Sequence, residues 1–546
     1  MKKLIALLLA LVLVLALAAC GEKPASNDDA ANTGDDAATG DDVAAGDDAA
    51  SGGDGAASGD DAAAEYDYSK PYTIVWFMGG TAQTDAAMVN EALAEYINEK
   101  YGMNLTLDIT QTPWGDLGQK MNAVFTGGEK WDLCYTSSWS NDYLSARGNG
   151  AYMAIDELLP VHAPNLYEYV GQYWASVTTD GHIWAVPNIQ IECSLAYCCT
   201  PTYWVEMYNE ANPDNQITQE STNLTRDLND YFYWIKENVI DGGATLNGVN
   251  PKYVLRRGTD ALAMAYLVEG IGSGTYFQYG DESCTVHDVF WFEDYMEDYA
   301  LMNRWYNDGL IQSDIMTADF ANADLASLLW ITNMHETFKP GEDANLAAYW
   351  NLPVEELTVF NFGESWASTS SVIATLTALN ANCEDPGIVL KFLDIINTDP
   401  EAFNYLCFGV PGYHYTLDEN GCVIPSEEST GYDPNCDWAF GNQFIAHPRQ
   451  GQSPDVWIET MAMNQAAHVS SAMGWVADSS NVTTQVANIS AVLDEYKPFW
   501  SGAVPGTSED WDAYVQGFHD AMYTAGLQDV IDEYQGQVDA WKAANG

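Results

Sequence analysis

Three short stretches place residues suited to gripping a small polar ligand where the chain turns: Gly79-Gly80-Thr81, Gln111–Trp114 and Ser137–Tyr143. The first follows an apolar run that closes on Phe77, and the other two carry Trp114 and Trp139, with Asp116 and Asn141 close by. Flat aromatic faces suit the C–H faces of pyranose rings, while carboxylates and amides pair with hydroxyl groups. A loop tryptophan packed onto a neighbouring loop is the equal alternative, and most of the 19 tryptophans and 32 tyrosines must serve cores. Farther on, Glu192, Trp330 and Trp366 are candidates for an opposing wall or for a hinge.

Other chemistries leave no trace. The chain has no Gly-x-Ser-x-Gly, His-Glu-x-x-His, Walker-type loop or Gly-x-Gly-x-x-Gly before a helix. With 79 acids, a carboxylate pair can be found for any glycosidase scheme, so such pairs in sequence carry no weight. Cys193, Cys198 and Cys199 form the one cysteine cluster, with no histidine within ten residues, so buried thiols or a disulfide are expected there rather than zinc. Asp418-Glu419-Asn420-Gly421 lacks the alternating ligands of a calcium loop and reads as a hairpin turn. His335 beside Glu336 reads as a surface pair. No catalytic residue, metal or cofactor is expected.

The elements that position these residues follow from periodicity. Tyr72–Phe77 is a near-continuous apolar run, as in a buried parallel strand, and Gly79-Gly80 ends it. From Asp85 to Lys100 the apolar residues fall at helical spacing and Gly102 closes the helix. Met103, Leu105, Leu107 and Ile109 alternate as a second strand, a helix over Asp116–Phe125 ends at Gly127-Gly128, and Trp131–Thr136 is a third strand. Short connections in this β-α-β-α-β order predict a parallel, doubly wound sheet, whose ligand site lies beyond its C-terminal strand ends. Gly181–Pro187 is a turn feeding a strand that proline cuts short, a place to leave one sheet for another. Tyr231–Val239 and Phe292–Asn307 read as helices, and Leu357–Phe362 as a strand running into Gly363–Trp366, where the chain crosses back. Asp399-Pro400-Glu401 starts a helix that stops at Gly409, and the tail from Asn481 is helix-rich.

Composition narrows the partners. The 546 residues carry a formal charge of −60, and without the first 65 residues, which hold thirteen acids and three bases, the remainder is still at −50. Such a surface repels phosphate backbones and anionic lipid, so nucleic acid is excluded and membrane attachment requires an anchor. The start of the chain supplies one: Lys2-Lys3, an apolar run from Leu4 to Leu17, then Leu17-Ala18-Ala19-Cys20. This is the pattern of a secretory leader, too short for an ordinary membrane span. Residues 21–67 repeat Gly-Asp-Asp with Ala and Ser, too poor in branched apolar side chains to offset their ordering entropy, and are expected to form a disordered acidic tether.

Leu17-Ala18-Ala19-Cys20 resembles a bacterial lipobox, which implies lipidation of Cys20. Over about 450 residues the order of features resembles a bacterial extracellular solute-binding protein of family 1, the sugar-binding component of ABC importers. The likeness is strongest to the lipoprotein subgroup of aldouronate and complex-polysaccharide importers. It rests on Trp114-Gly115-Asp116 with Gln119–Asn122, Asp132–Trp139, Gly181–Pro187, Asn397–Gly409 with His414-Tyr415, Trp438–Gln443, Ala525-Gly526-Leu527 and Glu533–Trp541. Trp184 stands where tyrosine is usual, Val410-Pro411 replaces Ile-Glu, and the second lobe matches poorly.

The resemblance implies an α/β, two-lobed, periplasmic-binding-protein-like type II fold, each lobe a doubly wound sheet flanked by helices, with a helical C-terminal extension. The expected boundaries are a leader at 1–20, the tether at 21–67, lobe 1 at 68–187 plus about 367–435, lobe 2 at 188–366, and a mostly helical region at 436–546 packing on the lobes. The implied function is a monomeric, lipid-anchored receptor on the outer face of a bacterial cell membrane. It would capture a sugar or oligosaccharide between the lobes and deliver it to a permease, without catalysis. A surface-tethered polysaccharide-degrading enzyme or adhesin, and the same trap holding a peptide, are the alternatives.

Overall fold

The computed structural model describes residues 66–179, 181–219, 224–245, 250–255, 268–316, 330–335 and 338–545. The leader with Cys20, the tether up to residue 65 and Glu336 lie outside the described residues. Among the described residues no helix is long and apolar enough to cross a membrane.

The first units form as their periodicity dictates: β1 (Pro71–Gly79), α1 (Ala86–Tyr101), β2 (Asn104–Thr112), α2 (Trp114–Gly127) and β3 (Leu133–Thr136). Gly102 ends α1 in left-handed backbone at φ 67°, which glycine adopts without a Cβ penalty. Two boundaries differ from expectation. Pro113 precedes α2 with ψ 138°, so Trp114 is the first helical residue rather than a loop residue. Strand β3 starts at Leu133, while Trp131 packs its ring on Phe125.

Further strands are β4 (Val186–Pro187), β5 (Cys193–Pro201), β6 (Tyr253–Leu255), β7 (Trp330–His335), β8 (Leu357–Ala367), β9 (Leu376–Leu379) and β10 (His468–Val469). The first sheet has the order β2-β1-β3-β9-β4. Its β1, β2 and β3 are parallel as expected, but β9 runs antiparallel to β3 and β4. The cause is topological. Strand β4 leaves the sheet at its C-terminal edge, and β9 returns through that same edge, Leu376 lying opposite both Thr136 and Pro187, so it can only run backwards. The second sheet, β10-β8-β5-β7-β6, is mixed for the same reason: β5 enters where β8 leaves, with Cys193 opposite Ala367.

Two large cores result. One gathers Ile74, Trp76, Leu133, Leu376, Phe392 and Phe440; the other gathers Phe232, Trp305, Phe360, Phe499, Trp511 and Phe518. The helices divide accordingly. Helix α3 (Glu293–Asn307) belongs to the second core and α4 (Glu342–Tyr349) to a small cluster beside it; α5 (Pro386–Thr398) and α6 (Pro400–Phe408) belong to the first. Helix α7 (Val456–Ala466) leads back toward β10, and α8 (Thr483–Glu495), α9 (Ser508–Ala525) and α10 (Leu527–Asn545) pack into the second core. Residues Asp418–Gly421 form a hairpin turn, as expected, between antiparallel strands Tyr415–Leu417 and Val423–Pro425. The nine cysteines from Cys134 to Cys436 are all free and buried.

The polar weld of the first sheet is Asp132. Its carboxylate accepts from Tyr72 Oη at 2.6 Å and from the Val75 amide at 2.9 Å, which locks the entry of β3 to β1. Asp132→Ala leaves both donors facing a buried site and is expected to lower stability by about 3 kcal/mol. Chemical denaturation of the variant checks this, and a loss under about 0.5 kcal/mol contradicts the weld.

Candidate functional site

The chain passes between the cores three times, through residues 188–192, 368–375 and 447–467. All three passages sit at the C-terminal edge of the first sheet, and they are hydrogen-bonded to one another. Asn188 donates its amide to the Thr375 carbonyl at 3.0 Å, and Asn464 Nδ2 donates to the Gln190 carbonyl at 2.7 Å. Glu192 joins all three: its N–H donates to Asn464 Oδ1 at 2.8 Å, and its carbonyl accepts from Ser371 Oγ at 2.6 Å.

On this same side lies a cavity of about 530 Å³. One wall comes from the second half, where Lys339-Pro340 leads into α4 with Glu342 and Asn345. The opposite wall is built by residues 408–457, the long excursion that follows α6. At the start of that excursion the His414 ring lies so close over Gly409 that a Cβ there would meet it at 2.5 Å. His414 Nδ1 accepts from the Val410 amide at 2.9 Å, which leaves Nε2 to donate toward Asp85 at 3.3 Å. Arg449 spans Asp433 at 3.1 Å and Asp437 at 3.2 Å, with its guanidinium over the Phe408 ring. Burial pushes the Asp437 carboxyl up, but Arg449's charge and the Gln443 amide outweigh this and hold it below its usual range. It is therefore a fixed anion rather than a proton donor, which a general acid would have to be.

The aromatic lining is Phe408, Tyr415, Tyr432, Trp438 and Trp457. Trp438 rides on the strand tips: its ring stacks on Trp114 at 5.2 Å and 21°, and Trp139 and Tyr135 meet it at 6.2 Å. Trp114 in turn lies on Gly79, where a Cβ would fall 1.9 Å from the indole. Trp139, 53% exposed, donates its indole N–H to the Ala374 carbonyl at 2.8 Å, which ties this cluster to the second passage. Aromatic pairs of this kind contribute about 0.5–1.5 kcal/mol each beyond area burial. With flanking Asn345, Gln450 and Gln452, the cavity offers ring faces and amides to a neutral, hydroxyl-rich ligand.

The sequence-derived residues fall into several places. None of them lines this cavity; Trp114 and Trp139 adjoin it through Trp438. Phe77 is buried beneath Lys120, Gly80 lies against Gln111 and Cys436, and Thr81 and Asp116 are exposed. Asn141, at φ 51°, spends its amide on the Tyr135 carbonyl at 2.8 Å, a structural bond. Glu192 sits in the first passage, Trp366 stacks on Tyr279 at 4.9 Å beside the second passage, and Trp330 opens β7 opposite Tyr253. Lys339, Arg449, Gln452 and Trp457 were missed. The scarcity of bases in so acidic a chain could have singled out Arg449.

Several known proteins resemble the chain. A family model described as a domain of unknown function (DUF3502) matches residues 471–543. A carbohydrate ABC transporter substrate-binding protein of Streptococcus pneumoniae serotype 4 is 24% identical over 461 residues, 81% of this chain and 85% of the relative. The crystal structure of the N-glycan transport solute-binding protein NgtS from S. pneumoniae superposes with a TM-score of 0.71 at 19% identity, over 87% of this chain and 100% of that one. In complex with Man5GlcNAc, the same protein gives 0.67 at 20% identity, again over 87% and 100%. The chain has the two-domain α/β fold of the solute-binding proteins, as the sequence resemblance implied.

Replacing Gly79 tests the aromatic tower. Gly79→Ala must push Trp114 off its place under Trp438, with an expected loss of about 1–3 kcal/mol and a shift in tryptophan emission. Unchanged melting and emission would contradict the packing.

Proposed function

We propose that the protein is the substrate-binding component of an ABC importer, capturing a sugar or oligosaccharide between its two halves and delivering it to a membrane permease. The observation that carries this reading is the cavity between α4 and the 408–457 excursion, floored by the stacked Trp438 and rimmed with amides, on a solute-binding fold. The names printed for the similar proteins support it: one is a carbohydrate ABC transporter substrate-binding protein, and another holds Man5GlcNAc. Ligand contacts on both walls favour a shut state through their differential affinity. Trp114 and Trp139 act on the ligand through Trp438, with Gly79 allowing that approach and Gly80 supporting the strand end against Gln111 and Cys436, and Thr81 and Asp116 stand at the rim. Phe77 and Asn141 hold the strand ends, while Glu192, Trp330 and Trp366 belong to the hinge and the second wall. The −60 charge, the Leu-Ala-Ala-Cys20 leader and the acidic repeat support a monomer tethered by lipid to the outer face of a bacterial membrane. In this reading it works without catalysis.

Thermal shift and calorimetry with mono-, oligo- and polysaccharides test the proposal. A soluble short glycan should raise the melting temperature without turnover, because selective binding to the native state stabilises it. Trp438→Ala should weaken that binding about tenfold or more, equivalent to ~1.4 kcal/mol, alongside an apo destabilisation of about 1–3 kcal/mol from the lost ring contacts. Release of reducing ends, or binding to insoluble polymer alone, overturns the receptor reading.

A further inference from the structure

Two carboxyl groups are buried where the three passages meet. Glu192, 1% exposed, lies in the first passage, and its side chain accepts one hydrogen bond, from the Gln190 amide at 3.2 Å. Its backbone is held by Ser371 of the second passage and Asn464 of the third. Glu269, 3% exposed, projects from the strand Val268–Gly272 of the second half. It accepts from Ser470 Oγ at 2.5 Å, just past the third passage, and from the Thr369 and Ser370 amides in the second. The titratable groups facing Glu192 are Tyr173 and Cys193, and those facing Glu269 are Tyr279 and Cys284. Burial raises all four, so they stay neutral where the carboxyls titrate, and no cation acts on either carboxyl.

We propose that Glu192 and Glu269 make the hinge proton-linked: the conformation described here holds both acids protonated, and rotation of the passages that admits water to them releases the protons. The hydrogen bonds explain why rotation must disturb these groups: the Glu269 carboxyl is held by the second passage and by Ser470 just past the third, and the Glu192 backbone, which carries its carboxyl, is held by the second and third. Burial raises Glu192 to about 8 and Glu269 to about 7, from an ordinary 4.5. A carboxyl raised in one conformation favours that conformation while protonated. The advantage is full below about pH 4.5, shrinks as pH rises, and is gone above about pH 8. The hinge therefore opens more readily at alkaline pH.

This inference rests on the two halves moving as the proposed function requires, but its test needs no ligand, so failure of the sugar reading leaves the result interpretable. Small-angle scattering of the ligand-free full chain at pH 5.5 and 8.5 should show a larger radius of gyration at the higher pH, with the opening constant rising tenfold or more. In Glu192→Gln/Glu269→Gln, where the amides mimic the neutral acids, the radius should stay at its low-pH value throughout. Infrared titration of the wild type should show carboxylic acid C=O bands lost between about pH 6 and 9, which the paired substitution removes. A pH-independent radius in the wild type, or an equal shift in the double variant, overturns the proposal. If the variant does not fold, absence of the titrating wild-type bands overturns it and their presence supports it.

Discussion

The structure depends on one constraint: every passage between its halves uses the same sheet edge. Because β4 leaves and β9 returns there, the first sheet must be mixed and the second must pair β5 with β8 antiparallel. Backbone groups in passages this buried need partners, and they find them in each other. The Glu192 backbone, held by Ser371 and Asn464, is the point where all three are tied. Two large cores are thus joined by hydrogen-bonded passages, with a small apolar cluster of Ile191, Cys193, Ala367 and Met463 beside them.

How much of this the sequence discloses depends on whether a residue's role leaves a period. The run β1-α1-β2-α2-β3 is legible because buried strands and amphipathic helices impose spacings of two and 3.6. Leu376–Leu379 is equally apolar but carries no sign of direction, so the reversed strand is visible only when its partners are known. The ligand side is less legible still. Trp114 and Trp139 are recognisable as tryptophans at strand ends, yet they serve as underlay for Trp438, more than 290 residues away from either. The polar wall of Arg449, Gln452 and Asn345 lies on loops and a short helix, where spacing is set by tertiary partners and not by local geometry.

Charge also acts locally. In a chain at −60, Arg449 sits between Asp433 and Asp437 and keeps Asp437 ionised inside the fold. That fixed network shapes the cavity without leaving a free acid–base pair among these three. It differs in kind from Glu192 and Glu269, which have hydrogen-bond donors but no cation. The same side chain type is thus used as a permanent charge beside the cavity and as a neutral group where the passages meet.

The nine buried cysteines have a consequence of their own. Burial raises thiols such as Cys134, Cys193 and Cys436 to about 12, 12 and beyond, so they carry almost no thiolate, the form that oxidants and exchange partners attack. With no covalent staple between distant described segments, cohesion comes from packing, hydrogen bonds and ion pairs. Among the described residues a reductant accordingly finds no disulfide to break, and nascent chains need no isomerase to sort pairings there.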